Sequence, residues 1–177
     1  MRSAALALTL IPVVALSQTQ AGIEHEHGAG HLDIAVSGAE LSLSLVVPAA
    51  DIVGFERPAQ TDEDRALVAG AISDLSKPLE LFVLSEDAAC FTATANVTLL
   101  AEGLGPEAGI APSEDQDQHT EFQADYQIQC QTVDVIDAIG FAYFERFPNA
   151  LKLVVKIEQS GRIQLHEVTR SMPNLPL

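Results

Sequence analysis

The sequence has few basic and few aromatic side chains. Its 177 residues include 25 Asp and Glu but only 9 Lys and Arg, which gives a formal net charge of −16. Aromatic residues make up 5% of the chain, and Trp is absent. A surface this acidic does not attract polyanions, and so few rings leave little to stack on bases or sugars. These two shortages exclude nucleic acid as a general partner.

Motifs of the common catalytic sites are also missing. The chain has no GxSxG nucleophile elbow, no HExxH helix, no P-loop and no dinucleotide-binding glycine motif before a helix. We therefore expect the protein not to be an enzyme. An activity that uses the carboxylates of an acidic loop stays open as a weaker alternative.

Only one long apolar run occurs, and it lies at the N-terminus. Residues 4–16 are almost wholly apolar, follow a basic residue and precede small residues. About 13 apolar residues are too few for a membrane-spanning helix, which needs about 20, but they suit a secretory signal. We predict a signal peptide over residues 1–21, cleaved after Ala21 or alternatively after Ser17. Residues 22–177 would then form a single metal-binding domain exported to a bacterial periplasm.

Cysteine is limited to Cys90 and Cys130. An even number in an oxidising compartment favours one disulfide, which would contribute about 4 kcal/mol in the chain-entropy model. Two thiolate metal ligands are the competing interpretation, but no CxxC or Cys–His spacing supports it.

Basic residues are missing from one long stretch of the chain. Residues 78–145 carry 13 acidic side chains and no Lys or Arg, whereas residues 146–177 carry 5 bases and 2 acids. The carboxylates of the first stretch must repel one another, pair with the basic C-terminal strands, or hold cations. Within that stretch, residues 103–118 are rich in Gly, Pro, Asp and Glu, which predicts a loop.

Alternation of apolar and polar residues predicts most of the fold. Apolar residues at helical spacing predict two helices, over residues 62–75 and 135–146. The predicted strands are residues 31–36, 41–47, 79–84, 90–100, 120–131, 151–158 and 162–168. Their hairpin-length connections indicate an α+β fold, with a mainly antiparallel sheet, two short helices and one disulfide.

Three of the five histidines lie close together after the predicted signal, in the segment EHEHGAGH. His25 and His27 can converge on one cation if the backbone curls, and Gly28 and Gly30 permit a curl. His31 adds a third imidazole. Neutral imidazole suits Zn²⁺, Cu²⁺ and Ni²⁺, so we predict a Zn²⁺ site, with other divalent transition metals as alternatives. The competing interpretation is a solvated, flexible segment whose histidines bind nothing.

The other two histidines lie on predicted strands. His119 begins a strand next to the acidic loop, and it could supply a fourth ligand if that strand neighbours the one that begins at His31. His166 is predicted to be a surface residue with no metal role, on the opposite face of its strand from Ile163 and Leu165.

Five blocks of sequence carry a resemblance to a known family. They are His-Glu-His-Gly at residues 25–28, the hairpin end Val47–Glu56, Ala89-Cys90, the Phe122–Cys130 strand and Phe147-Pro148-Asn149. Together they resemble the zinc-regulated periplasmic zinc-binding proteins, the ZrgA-like family, over the whole mature chain. The resemblance implies a periplasmic protein that is induced in zinc shortage, binds Zn²⁺ and assists an ABC-type importer and its solute-binding protein. It implies no enzymatic activity.

The chain differs from that family in one segment. Family members commonly carry a long histidine-rich insertion between the two cysteine-bearing strands, whereas this chain has Gly109–Gln118 (GIAPSEDQDQ), followed by the single His119. Carboxylates hold Zn²⁺ less selectively than imidazoles do. We therefore predict about one bound Zn²⁺ rather than a multi-ion buffer. An acidic interaction module of the cell envelope, without a metal role, is the alternative function.

Overall fold

The computed structural model describes residues 28–101 and 119–177, which form nine strands, four α-helices and two 3₁₀ turns. The strands are β1 (Ala29–Ser37), β2 (Glu40–Pro48), β3 (Phe82–Val83), β4 (Phe91–Ala101), β5 (Thr120–Gln129), β6 (Ala138–Phe141), β7 (Lys152–Gln159), β8 (Arg162–Thr169) and β9 (Asn174–Pro176). The helices are α1 (Ala49–Val53), α2 (Asp62–Leu75), α3 (Pro78–Leu81) and α4 (Tyr143–Arg146), and the 3₁₀ turns are Glu86–Ala88 and Val133–Val135.

A six-stranded main sheet, in the order β4-β5-β2-β1-β7-β8, dominates the fold. Its neighbouring strands are antiparallel except for β1 and β7, which are parallel. A small antiparallel sheet, β3-β6-β9, packs against the main sheet through Phe82, whose ring centroid lies 6.4 Å from that of Tyr126. The predicted α+β class and mainly antiparallel sheet are confirmed, and the β1–β7 pair makes the main sheet mixed.

One face of the main sheet is covered and the other is open. Leu41, Leu43 and Leu45 of β2 are buried, while the intervening Ser42 and Ser44 lie on the open face. The covering layer contains a cluster of aromatic rings that contact one another, and Phe82 of this cluster also contacts Tyr126 of the sheet. The cluster consists of Phe82, Phe141, Tyr143, Phe144 and Phe147. The few aromatic residues of the chain therefore serve mostly in its core.

Helix α2 forms where the sequence predicts it, from Asp62 to Leu75. Thr61 caps it, because its side chain accepts the N–H of Asp64 while the Asp64 carboxylate accepts the N–H of Thr61. This reciprocal pair satisfies two N–H groups that a helix start leaves without partners.

The predicted helix over residues 135–146 is wrong. That segment forms a 3₁₀ turn, then β6, then α4. Ile139 and Phe141 are both buried, and Gly140 between them pairs with Val83 of β3 and Asn174 of β9. Strand partners on both sides take up the backbone groups of β6, so tertiary pairing overrides the helical spacing.

The predicted strand over residues 79–84 is correct only at its end. Pro78 begins the one-turn helix α3, because its fixed φ and missing N–H suit the first helical position, and only Phe82–Val83 is extended. With α1, which was not predicted, the described residues hold four helices rather than two.

The disulfide between Cys90 and Cys130 is present. It joins the residue before β4 to the residue after β5, at the end of the strand pair where Phe91 faces Gln129. The predicted signal peptide, residues 1–21, lies outside the described residues. Within the described ranges no helix is both long enough and apolar enough to cross a membrane.

Candidate metal centre

One end of the main sheet gathers the segments that carry the predicted ligands. β1 and β5 begin there, because both run antiparallel to β2, which ends there at Pro48. β4 ends at the same place, since it is antiparallel to β5. We call this end the carboxyl end of β2.

The chain leaves β2 through residues 48–56, which we call the 48–56 segment. Its helix α1 contacts both β2 and β5. Gly54 ends that helix with a φ of 87°, and its N–H donates to the carbonyl oxygen of Ala50 at 3.0 Å. A left-handed residue at this point is the common way to end a helix, and glycine adopts it without steric cost.

Asp51 of the 48–56 segment holds the start of β1. The residue is only 3% exposed, and its Oδ1 accepts the N–H of Gly28 at 2.9 Å. The carbonyl oxygen of Gly28 accepts the N–H groups of Leu151 and Lys152, both at 2.9 Å. Three hydrogen bonds therefore fix the peptide groups of the residue that follows His27.

Glu56 of the same segment holds the start of β5. Its Oε2 lies 2.5 Å from Nδ1 of His119, and the two side chains are 15% and 38% exposed. The hydroxyl of Thr120, the next residue, donates to the carbonyl oxygen of Glu56 at 2.7 Å. The 48–56 segment thus anchors the beginnings of two different strands.

His31 lies on the open face of β1, between Val46 of β2 and Val154 of β7, and is half-buried. Gly30, the preceding residue, lies within the extended strand β1 and does not form the predicted curl. A Cβ at Gly30 would lie 2.4 Å from Cγ1 of Val47, so glycine is needed there for close packing. Of the two glycines predicted to permit a curl, Gly28 alone has a positive φ, 81°.

The structure does not bring His31 and His119 together. β2 lies between β1 and β5, so the two strands are not the neighbours that a shared four-histidine site requires. His31 faces Val46, which faces Gln123, so the two histidines lie roughly 10 Å apart across the sheet and roughly 13 Å apart along it. Two histidines share one ion only if a ring nitrogen of each lies about 2 Å from it. The separation of these two residues in the sheet is too large for that. His119 is instead nearly level with Gly28.

The remaining predicted ligands, His25 and His27, lie outside the described residues. Among residues 28–101 and 119–177, no three His, Cys, Asp or Glu side chains are grouped so that they could hold a metal ion.

His166 lies on the opposite face of β8 from Ile163 and Leu165, as predicted, but the exposure of the two faces is reversed. Ile163 and Leu165 are 63% and 70% exposed, while His166 is half-buried and its Nε2 is fully buried. Val168, on the side of His166, is the residue of this strand that reaches the core.

The described part of the candidate centre fits a transition metal better than Ca²⁺. An imidazole whose Nδ1 contacts a carboxylate is oriented to bind a metal through Nε2, and this carboxylate–histidine arrangement is common in zinc sites. Neither Glu56 nor Asp51 was predicted as part of the site. The signal available in the sequence was the position of two acids within the otherwise largely apolar Pro48–Glu56 block.

The fold and this site define a class of protein: a disulfide-containing α+β domain with a histidine–carboxylate pair at one end of its sheet. A family model describes the same chain more specifically. The model of the ZrgA family of zinc uptake proteins matches residues 24–177, and the chain belongs to this family. No curated protein matches the sequence closely enough to count as a relative. The resemblance noted from the five sequence blocks is thereby confirmed.

Proposed function

We propose that this is a periplasmic zinc-binding protein that assists zinc uptake. In this proposal it binds Zn²⁺ at the carboxyl end of β2, through His25 and His27 of its N-terminal cluster together with His119. Membership of a zinc uptake family supports zinc as the cargo. The disulfide supports export, since such bonds persist in oxidising compartments. We propose no catalytic role, and we propose that the ion is handed to the solute-binding protein of a zinc ABC importer.

The observation that carries this proposal is the double anchoring by the 48–56 segment. Asp51 holds Gly28, the residue after the histidine cluster, and Glu56 holds His119. Gly28 and His119 lie roughly 10 Å apart across the sheet. The two histidines that precede Gly28 are at most three residues from it, and three residues of chain span up to about 10 Å. Their imidazoles can therefore reach the ion that His119 would bind.

His31 has a different place in this arrangement. It lies on the open face, roughly 13 Å along the sheet from the level of His119. We therefore expect His31 to contribute less to the affinity for Zn²⁺ than the two histidines before Gly28.

A zinc titration of the exported form, residues 22–177, tests the proposal. We expect His25→Ala/His27→Ala and His119→Ala each to weaken Zn²⁺ binding strongly, and His31→Gln to weaken it less. His166→Gln is the matched control, because it removes an imidazole from the covered face of the sheet and should leave the affinity unchanged. Wild-type affinity in the His25→Ala/His27→Ala variant would contradict the proposal.

The base-free stretch of residues 78–145 favours one alternative, an acidic module that docks a basic partner. That function predicts partner binding that falls steeply with added salt. It also predicts no metal in protein purified without chelator, so elemental analysis of such a preparation separates the two functions.

A further inference from the structure

We propose that Glu56 is a positioning residue for the metal, which acts by holding the His119 ring so that Nε2 is the nitrogen that binds Zn²⁺. The inference rests on the proposed function, because it requires His119 to be a ligand. It assigns a role to a side chain that would not itself contact the ion.

The contact between the two side chains is the first support. Glu56 is largely buried, with 15% of its side chain exposed, and its Oε2 lies 2.5 Å from Nδ1 of His119. A carboxylate withdrawn from water needs a strong hydrogen-bond donor, and an imidazole N–H supplies one. The pair is therefore most stable when Nδ1 carries the proton and donates it to Glu56.

The backbone supports the same geometry. The hydroxyl of Thr120 donates to the carbonyl oxygen of Glu56 at 2.7 Å, and Thr120 is only 4% exposed. The side chain of Glu56 thus holds His119 while its main chain holds the following residue. Two bonds between the same pair of segments fix the ring position more closely than the side-chain contact alone.

The chemical consequence concerns the tautomer of His119. An imidazole that carries its proton on Nδ1 has its lone pair on Nε2, and only a nitrogen with a lone pair binds a metal. The neighbouring carboxylate also makes the ring a stronger donor to the metal. Glu56 would therefore raise the affinity for Zn²⁺ by acting on His119.

A measurement without metal tests the contact itself. Nitrogen-15 NMR of the metal-free protein, at a pH where the ring is neutral, reports which nitrogen of His119 carries the proton. We expect Nδ1–H in the wild type and in Glu158→Gln, a matched control that removes a carboxylate at the opposite end of the sheet. We expect Glu56→Ala to shift the proton toward Nε2. The same tautomer in the wild type and in Glu56→Ala would overturn the inference.

Zinc affinities of single and double variants test the route by which Glu56 acts. Losing such a carboxylate typically costs 10–100-fold in metal affinity, so we expect about that loss in Glu56→Ala. Glu56→Gln keeps an acceptor oxygen and the side-chain volume, and should restore part of the affinity. In a His119→Ala background, Glu56→Ala should have no further effect. An equal further loss in that background would make Glu56 an independent ligand and overturn the inference.

These outcomes separate the two proposals. Wild-type affinity in His119→Ala, together with a loss of affinity in His25→Ala/His27→Ala, would overturn the positioning role of Glu56 and leave zinc binding by the N-terminal cluster intact. A weakened His119→Ala together with an unchanged Glu56→Ala would leave the proposed function intact and overturn the positioning role.

Discussion

Individual residues at the carboxyl end of β2 are held by more than one constraint. Gly28 combines a positive φ, a hydrogen bond to the buried Asp51 and two bonds to the start of β7. Because this residue follows the histidine cluster directly, the stability of its position bears on both folding and the proposed metal site.

We expect Gly28→Ala to lower the free energy of unfolding by more than Gly161→Ala does. Both residues have positive φ, 81° and 72°, where an alanine costs roughly 1–2 kcal/mol. A Cβ at Gly28 would also lie 2.9 Å from Cδ1 of Leu151, whereas a Cβ at Gly161 would have nothing within 4 Å. Urea unfolding of the two variants measures the difference. Equal losses would show that Leu151 moves aside without cost.

Asp64 makes the stability of the fold dependent on acid pH. The pKa of its carboxyl is held well below the usual range, first by the hydrogen bonds from Arg57 and then by the backbone N–H of Thr61. A depressed folded-state pKa stabilises the protein at pH values above the unfolded pKa, about 3.9, and that stabilisation is lost as the pH falls further. We therefore expect Asp64→Asn to lower the urea midpoint at neutral pH, with the gap to wild type narrowing below about pH 4.

The control for this prediction is Glu63→Gln, which removes an exposed carboxylate from the same first turn of α2. It should change the midpoint far less than Asp64→Asn does. A gap between wild type and Asp64→Asn that stays constant into strong acid would contradict the role of the carboxylate charge.

At the scale of elements, sequence patterns correctly predicted the elements that depend on interactions between residues close in sequence. The β1–β2 hairpin and α2 follow from alternation and from the Thr61 cap, which act within a few residues. The helix predicted over residues 135–146 failed because the residues that decide its structure, Val83 and Asn174, are distant in sequence.

The same limit applies to the candidate metal centre. His31 and His119 could be recognised as possible ligands from their residue type and position. Their separation depends on β2 lying between β1 and β5, which is a long-range property of the topology. The partner of His119 is Glu56, 63 residues earlier, and no spacing rule connects them.

We expect the double variant Cys90→Ser/Cys130→Ser to lose about 4 kcal/mol of stability, since the disulfide joins residues separated by 40 positions. The bond lies at the end of the β4–β5 pair away from Thr120 and His119. Zinc affinity of the folded double variant should therefore stay at the wild-type value. Urea unfolding measures the loss of stability, and zinc titration measures the affinity. A loss of zinc affinity in the double variant would show that the disulfide also determines the geometry of the metal centre.

At the scale of the whole molecule, the structure shows where the few bases are used. Arg146 pairs with Asp74, and Lys156 pairs with Asp33. Arg170 donates to three backbone carbonyl groups between residues 147 and 150. In both ion pairs the base follows the base-free stretch of residues 78–145, and the acid precedes it. Within the stretch, Glu80 pairs with Lys77, with Nζ and Oε2 3.8 Å apart. Since so acidic a segment also attracts cations without a specific site, a zinc site must be distinguished from a diffuse cation atmosphere by experiment.

The response to salt distinguishes a specific zinc site from a diffuse cation atmosphere. If Zn²⁺ binds the folded protein alone, free zinc at 100 times the Kd should stabilise it by about 2.7 kcal/mol. Coordination through imidazoles should survive 1 M NaCl, where the Debye length is about 3 Å and diffuse attraction to carboxylates is screened. Ca²⁺, which prefers oxygen ligands, is the control and should not reproduce the gain. Thermal unfolding of residues 22–177 with each ion checks this. Equal stabilisation by Ca²⁺, or loss of the zinc effect in salt, would show that the acidic stretch and not the histidines holds the cation.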